Sequence, residues 1–568
     1  MAGENSSMLR YRIVCAMAIV AVAFSVIVSV LMVSNCLMVR ASSPLNLTAI
    51  EQLRANLRTN PADEAVKAKI RDVDLLARTF YFGGLTSLRT GSYLLLCGVG
   101  IALVCLKTMV VIKRGRVAPT KYPPATDGLE ASAMARMVIG GVAVALITGA
   151  VVIAVMEGSG GNTESVPAVK VGMAEAITNW PGFRGIDGSG SSSFTNLPVS
   201  WDVKTSNNIL WVVNVPLPGM SSPIVWGNRV FLTGATDEKR EVYCYDLASG
   251  IKLWSAGVDA APGNTNRIPQ VNKDTGFAAS TPVTDGVTVY SIFANGDLGA
   301  IDFCAKKMWT VDLGLPDNRY GYSTSLALYG RRVLVQFDTG SEKGGTSQLI
   351  ALDSGTGKKV WSTVRPAGDS WPSPSVVQTD AGPQLITVAN EWIISYDPVK
   401  GDELWRVKCS GSDVAPSPVC AGGLIIAVIP GDGVYAIRPT GRGEVTTSHV
   451  VWKSANGASD VASPVSNGEL VFLAQSSGAL TCLDVKTGKL VWERNLDAEF
   501  YASPGLAGDT LYLVARSGEV FILKCGRQYE DIGRAHIGEP SDCSPAFVNG
   551  RILIRGITHL FCIGIGST

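Results

Sequence analysis

The chain has 568 residues, of which 46% are hydrophobic and 17% are charged, and its mean hydropathy is +0.23. These values lie between those of soluble globular and membrane proteins, and they exclude disorder over most of the chain. Residues 1–156 carry 16 Lys and Arg against 8 Asp and Glu, whereas residues 157–568 carry 33 against 40. Because nucleic-acid binding depends on clustered basic side chains, the acidic second part predicts no nucleic-acid partner.

Three apolar stretches occupy the N-terminal part of the chain. Residues 13–39 and 137–156 contain no charged side chain, and residues 92–112 are interrupted only by Lys107. Each stretch is long enough to cross a bilayer as a helix of about 20 residues. The sequence therefore predicts three transmembrane helices and makes the membrane a partner of this chain.

The segments between the apolar stretches predict their orientation. Residues 113–136 form a basic linker, which we expect in the cytoplasm together with the N-terminus, residues 1–12. Residues 40–91 would then lie outside the cytoplasm, where their apolar periodicity indicates short amphipathic helices. A rival interpretation, a lipoprotein signal ending at Cys36, leaves the two later stretches unexplained. A connector containing Gly and Ser, residues 157–178, leads into the rest of the chain.

Residues 179–568 contain a repeat with a period of about 40 to 50 residues, which is typical of propellers and solenoids. Each copy opens with Ser or Thr followed by Pro, except one in which Leu326 replaces the Pro. Tight turns such as Asn467-Gly468 separate apolar runs and predict antiparallel hairpins. The eight openings begin at Ser222, Thr281, Ser325, Ser373, Ser417, Ser463, Ser503 and Ser544.

The second half of the repeat places a small residue, an Asp, a Gly and a Trp at fixed offsets. Ala351, Asp353, Gly357 and Trp361 define these offsets, and three other repeats share them. We expect the Asp to cap a turn, the Gly to adopt a left-handed conformation, and the Trp to pack between neighbouring sheets. The predicted docking tryptophans are Trp211, Trp254, Trp309, Trp361, Trp405, Trp452 and Trp492.

This repeat resembles the tryptophan-docking repeat of PQQ-type, or quinoprotein-like, β-propellers over roughly residues 179–566. The resemblance implies an all-β fold of four-stranded antiparallel blades, and eight repeats imply eight blades. The last repeat runs out of chain before a fourth strand, so we expect the segment around Trp211 to complete that blade and close the ring. The predicted fold is an eight-bladed PQQ-like β-propeller, residues 179–568, preceded by three transmembrane α-helices.

Few residue patterns indicate chemistry. Cys244, Cys482 and Cys562 occupy the small-residue position of the repeat, so we interpret them as buried substitutes for Ala. The absence of CxxC and CxxCH patterns leaves zinc and haem c unsupported, and the three histidines lie in different repeats. The sequence therefore predicts no metal site and no catalytic residues.

We expect binding at the mouth of the central channel, because the residues before each opening enter the innermost strand of such propellers. Aromatic and acidic side chains there suit a planar ligand or a peptide, and blade packing is their alternative role. The longest insertion between repeats, residues 259–276, is expected near the same face. The predicted central-face residues are Tyr320, Tyr322, Trp371, Asp413, Asp460, Phe500, Tyr501 and Asp542.

Two functions remain open. The first is a non-catalytic binding or scaffolding module without a cofactor, similar in architecture to the BamB type of outer-membrane assembly propeller. Its partner would be an envelope protein, and its propeller would lie on the periplasmic side of the bacterial inner membrane. The alternative is a PQQ-dependent membrane dehydrogenase that passes electrons to quinone, which needs PQQ, Ca²⁺ and an Asp base. For that chemistry the sequence offers Asp413, Asp460, Asp542 and Trp371.

Overall fold

The computed structural model describes residues 14–21, 23–25, 28, 100–101, 104–105, 107–108, 178–259, 268–340 and 347–565. The chain divides into two compact units, Met1–Ser165 and Val166–Thr568, and every β-strand of the described residues belongs to the second.

The prediction of three transmembrane helices before the propeller is corrected by this structure. Among the described residues, no helix has the length and apolar character needed to cross a membrane. The predictions for residues 1–12, 40–91, 113–156 and 157–177 lie outside the described residues.

Two short strands precede the repeats, β1 (Ser191–Ser192) and β2 (Ile209–Asn214). Blades 1 to 4 then follow, each a sheet of consecutive antiparallel strands. Blade 1 contains β3 (Ile224–Trp226), β4 (Arg229–Ala235), β5 (Arg240–Asp246) and β6 (Lys252–Gly257). Blade 2 contains β7 (Val283–Thr284), β8 (Thr288–Ile292), β9 (Asp297–Asp302) and β10 (Lys307–Asp312). Blade 3 contains β11 (Ala327–Tyr329), β12 (Arg332–Phe337), β13 (Gln348–Asp353) and β14 (Lys359–Val364), and blade 4 contains β15 (Ser375–Thr379), β16 (Gly382–Val388), β17 (Trp392–Tyr396) and β18 (Glu403–Lys408).

Blades 5 to 8 repeat this order with two additions. Blade 5 contains β19 (Val419–Ala421), β20 (Leu424–Ile429), β21 (Gly433–Ile437) and β23 (Val450–Ser454); its insertion holds β22 (Gly443–Glu444), which extends blade 4 beyond β18, and a short α-helix (Thr446–His449). Blade 6 contains β24 (Val465–Ser466), β25 (Leu470–Ala474), β26 (Ala479–Asp484) and β27 (Leu490–Asn495). Blade 7 contains β28 (Gly505–Ala507), β29 (Thr510–Val514), β30 (Glu519–Lys524) and β31 (Asp531–His536), and blade 8 contains β32 (Ala546–Val548), β33 (Arg551–Arg555) and β34 (His559–Gly564).

The N-terminal strand β2 completes blade 8, as the sequence predicts. It pairs antiparallel with β34, with Trp211 opposite Cys562 and Asn214 opposite His559. The last blade therefore joins the two ends of the repeat region, which leaves no unpaired sheet edge at the point of closure. The prediction of eight blades with four antiparallel strands is confirmed.

The core lies between neighbouring blades. Every residue of β25 is buried, and β26 is buried except at its two ends, whereas β27 at the perimeter is largely exposed. The inner strands are covered on both faces, which explains why their sequences are continuous apolar runs rather than alternating patterns.

The predicted docking tryptophans connect consecutive blades. The indole N–H of Trp309 in blade 2 donates to the Ser354 carbonyl in blade 3 at 2.9 Å, and Trp211, Trp254, Trp452 and Trp492 donate similarly to the following blade. Trp405 instead donates to Gln384 within its own blade. The indole N–H of Trp361 has no partner among the described residues, although its ring packs against the next blade.

The Ser and Thr residues that open the repeats form a closed ring around the axis. In each blade, the backbone N–H of the opening residue donates to the hydroxyl of the opening residue in the next blade, at 2.8 to 3.1 Å. We call these eight residues the hydroxyl ring: Ser222, Thr281, Ser325, Ser373, Ser417, Ser463, Ser503 and Ser544.

Residues 179–192, which we call the axial plug, run along the innermost strands. Trp180 forms a bridge with Val225 in blade 1, and β1 pairs parallel with β28 in blade 7. A 3-10 helix (Ile186–Gly188) lies between these two attachments. Near it, the Arg184 guanidinium donates to the Pro464 carbonyl in blade 6. The plug therefore contacts blades 1, 6 and 7, an arrangement that the repeat pattern does not predict.

Candidate functional site

An axial cavity of about 540 Å³ lies where the blades converge. All eight members of the hydroxyl ring line it, and Phe183 of the axial plug lines it as well. The loops that precede the ring residues supply the rim. Six of the eight predicted central-face residues line the cavity, namely Tyr320, Trp371, Asp413, Asp460, Tyr501 and Asp542.

The other two predicted residues, Tyr322 and Phe500, lie in the core between blades. Tyr322 is 3% exposed, stacks on Phe337 and donates its hydroxyl to the Gln336 carbonyl at 3.1 Å. Phe500 is fully buried. Phe500 directly precedes the rim residue Tyr501, and adjacent side chains of an extended segment point to opposite sides. Tyr322 lies two residues after the rim residue Tyr320, and Gly321 between them has a left-handed backbone with φ of 75°, which turns the chain away from the cavity.

One side of the rim is organised around Arg319. Its guanidinium pairs with Asp369 at 3.0 Å and with Asp413, and it lies 5.5 Å from the centre of the Trp371 ring. Tyr320 meets the same Trp371 ring edge to face at 4.8 Å. Asp413 has a left-handed backbone, with φ of 50°, and its side chain is half exposed. This cluster holds an aromatic face and a carboxylate at the mouth of the axial cavity.

A second cluster is organised around Arg516. The guanidinium donates to both oxygens of Asp542, at 2.9 and 3.1 Å, and to Asp274 at 2.9 Å. It also lies only 3.8 Å from the centre of the Tyr501 ring, which places it over the aromatic face. Burial raises the pKa of Asp542 above its usual value, although the Arg516 guanidinium opposes that shift.

The lining of the axial cavity is acidic. It includes Asp274, Asp413, Asp460 and Asp542, whereas no Lys, Arg or His is among the described residues that line it. Asp460 accepts hydrogen bonds from the backbone N–H and the hydroxyl of Ser476. It has no basic partner in the described part of the chain. The rim therefore favours ligands with a positive group facing outward.

The predicted insertion does reach this face. Asp274 and Thr275 at its end line the axial cavity, and the Thr275 hydroxyl donates to the Tyr320 carbonyl at 2.6 Å. Residues 260–267 of the insertion lie outside the described residues.

The axial plug also lines a second cavity. Phe183 lines both the axial cavity and this second cavity of about 510 Å³, and the ring members Ser373 and Ser417 line both as well. Asp187 lines only the second cavity, and desolvation by the surrounding protein raises its pKa. The two cavities therefore adjoin each other at Phe183 and at these two ring members.

The residues present do not fit PQQ with Ca²⁺. No group of three or more His, Cys, Asp or Glu side chains in the described ranges is placed to hold a metal ion. Asp413 and Asp542 are paired with arginines, and Asp460 is hydrogen-bonded by Ser476. PQQ itself carries carboxylates, which would face four aspartates and no basic group in this lining.

The eight blades and the docking tryptophans together define a β-propeller of the PQQ-type repeat. The profile of the family described as "Outer membrane protein assembly factor BamB" matches residues 199–369, 345–445 and 443–524, which is more than half of the chain. The chain belongs to this family. Among curated proteins, no sequence matches the chain.

Solved structures share the fold at low sequence identity. BamB from Moraxella catarrhalis is 16% identical, with a TM-score of 0.47, and the match covers 63% of this chain and 99% of that one. The quinohemoprotein alcohol dehydrogenase from Comamonas testosteroni is 13% identical, with a TM-score of 0.52 and coverage of 70% and 82%. A europium-containing methanol dehydrogenase is 12% identical, with a TM-score of 0.51 and coverage of 67% and 90%. The likeness to the two dehydrogenases supports the propeller architecture and says nothing about the activity of this chain.

Sequence reasoning missed the basic members of the site. Arg319 and Arg516 each lie in loops that no repeat offset marks, and Arg516 reaches Asp274 from a distant blade. Arg319 lies next to the predicted Tyr320, so an arginine beside a rim aromatic was an available signal. The hydroxyl ring was visible as eight repeat openings, but its hydrogen bonds depend on the curvature of the closed propeller.

Proposed function

We propose that this chain is a non-catalytic binding module of the bacterial envelope, whose axial cavity receives a segment of a protein partner. The observation that carries the proposal is the acidic and aromatic rim, held by two arginine clusters, around a cavity of about 540 Å³. A cavity of this size with convergent polar groups is typical of a binding site. Family membership supports a protein partner and an envelope location.

The rim is built to present aromatic faces rather than to react. Tyr501 and Trp371 each lie against a guanidinium that carboxylates hold in place. Aromatic side chains that are fixed by neighbouring groups lose little entropy when a partner packs on them. Most of the rim carboxylates therefore form ion pairs, and these ion pairs hold the two guanidinium groups against the aromatic rings.

Site-specific photo-cross-linking tests the proposal. A photoreactive residue in place of Ser412, which is exposed and lines the axial cavity, should form adducts with a discrete envelope protein in cells that make the full chain. The matched control is Val364, which is 75% exposed on the outer strand β14 of blade 3. The adduct should disappear when Trp371→Ala is added.

Two results would contradict the proposal. One is the absence of any protein adduct at Ser412 in a chain that is folded and correctly located. The other is the same set of adducts at Ser412 and Val364, because non-specific encounters label both faces.

A further inference from the structure

The second cavity, which adjoins the axial cavity at Phe183, has a largely apolar wall. Its volume of about 510 Å³ is within the usual range of sites for small ligands. Three aromatic side chains line it, namely Phe183 of the axial plug, Trp226 of blade 1 and Tyr329 of blade 3. Aliphatic side chains complete much of the wall, including Ile186, Val287, Leu326 and Leu328. The cavity therefore suits a ligand with an apolar body.

Asp187 brings one carboxylate into this apolar wall. The residue belongs to the 3-10 helix of the plug and has a left-handed backbone, with φ of 56°. Its side chain is exposed to the cavity, yet the surrounding protein desolvates the carboxylate and raises its pKa. In the described structure Asp187 belongs to no ion pair. No donor or cation of the described residues therefore offsets this desolvation.

The other two charged side chains of the lining already have partners within the protein. Asp285 accepts hydrogen bonds from the Tyr290 hydroxyl at 2.8 Å and from two backbone N–H groups. Arg331 pairs with Asp353 at 3.3 Å and not with Asp187. Around the cavity, three carboxylates therefore accompany one guanidinium, and the carboxylate of Asp187 is the one that remains open to a ligand.

The nearest basic residue along the chain does not neutralise Asp187. Arg184 does not line the second cavity, and its guanidinium donates to the carbonyls of Ser189 and Pro464. An anionic ligand would meet an excess of carboxylates in this cavity, whereas a cation would restore the interactions that Asp187 loses by desolvation. Charge and wall together thus favour a positive group on an apolar body.

We propose that the second cavity binds a small organic amine, with its ammonium group at the Asp187 carboxylate and its aryl or alkyl body against the aromatic wall. A charged hydrogen bond and the aromatic faces both favour such a cation. A Lys side chain of a protein carries the same ammonium group, but its narrow aliphatic stem would cover little of the aromatic wall. This site goes beyond the proposed function and does not depend on it.

Calorimetric titrations of the full-length protein test the inference with three probes that share a phenyl ring on a two-carbon stem. Phenethylamine carries the ammonium group, 2-phenylethanol is its neutral counterpart, and 3-phenylpropanoate is an anion. The amine should bind about tenfold more tightly than the alcohol, because only the amine forms a charged hydrogen bond with Asp187. The propanoate should bind more weakly than the alcohol, since like charges repel.

Three variants assign the effect to residues. Asp187→Asn should lower the affinity for the amine to that for the alcohol and leave the alcohol unaffected. Its melting temperature should not fall, because Asn has the same shape and also adopts the left-handed conformation. The matched control is Asp380→Asn, which changes an exposed carboxylate in the turn between β15 and β16, outside the lining, and should bind the amine as the native chain does. Ile186→Ala removes only an apolar contact and should weaken the amine and the alcohol by the same factor.

Equal affinities for phenethylamine and 2-phenylethanol would overturn the inference, as would native affinity for the amine in Asp187→Asn. Loss of amine binding in Asp460→Asn but not in Asp187→Asn would also overturn it, because that result places the amine in the axial cavity. Tighter binding of Nα-acetyl-lysine amide than of phenethylamine would show that the occupant is a protein side chain and not a small amine. None of these results affects the cross-linking at Ser412, so the proposed function stands or fails separately.

Discussion

The backbone N–H of Ser544 donates to the hydroxyl of Ser222 at 3.1 Å, across the junction between the last blade and the first. The other seven bonds of the hydroxyl ring join consecutive blades, so this one completes the circle. Together with the pairing of β2 and β34, this hydrogen bond closes the ring at both the inner edge and the outer edge of blade 8.

Removing the acceptor at this junction should destabilise the propeller. Ser222→Ala leaves the Ser544 N–H buried without a partner, at a cost of about 1 to 3 kcal/mol. Ser222→Thr keeps the hydroxyl, as Thr281 does in the next blade, and should cost much less. Urea unfolding of both variants measures the difference, and equal losses would indicate that the hydrogen bond contributes nothing.

A matched pair of glycines separates backbone strain from docking of the tryptophans. Gly401 and Gly423 have nearly the same φ, +79° and +78°, but an added Cβ would lie 2.5 Å from the Trp361 ring at Gly401 and would meet nothing within 4 Å at Gly423. Gly423→Ala should cost about 1 kcal/mol from its left-handed backbone alone. Gly401→Ala should cost clearly more, because it must also displace Trp361. Similar melting temperatures for the two variants would contradict this account.

The rim aromatics and the docking tryptophans should respond differently to truncation. Trp492→Ala and Trp361→Ala remove side chains packed between blades and should lose about 3 to 5 kcal/mol of stability. All four side chains are half-buried, but Trp361 and Trp492 pack against apolar core clusters, whereas Trp371 and Tyr501 lie against guanidinium groups at the rim. Replacing Trp371 or Tyr501 by Ala should therefore cost less stability and reduce adduct formation at Ser412 instead. Thermal melts of all four variants check this, and equal losses would make Trp371 and Tyr501 packing residues.

The propeller could be predicted because each repeat contains the residues that its turns and its packing between blades require. A turn glycine such as Gly357 and the Trp that packs near it appear at fixed spacing, and the strand around Trp211 is visible as the missing member of the last blade. The axial plug could not be predicted, since residues 179–192 occur once and have no repeat partner. Their position depends on the shape of the channel that the closed blades leave.

The site was predictable only in part for a related reason. Residues before each repeat opening were expected at the channel mouth, but whether a side chain faces the cavity depends on the local turn of the backbone, such as the left-handed Gly321. Tyr320 faces the cavity and Tyr322 packs on Phe337 in the core. The burial of Arg184 could not be predicted either, because a single arginine outside the repeat gives no sign of which groups will surround it.

The buried cysteines should make the propeller sensitive to alkaline pH. Burial raises the pKa of Cys482 to about 12, whereas an unfolded thiol ionises near 8.5. Between about pH 8.5 and 12 the unfolded chain releases this proton and the folded chain keeps it, so stability falls as pH rises, by up to about 1.4 kcal/mol per pH unit.

Cys482→Ala removes this pH dependence, and other repeats already carry Ala at this position, including Ala351 and Ala436. The stability of the variant relative to the native chain should therefore improve from pH 8 to pH 10 in urea titrations. Thr481→Ser, a neighbouring change that alters no titrating group, should keep a constant difference. A Cys482→Ala difference that is equally constant would show that this thiol titrates alike in both states.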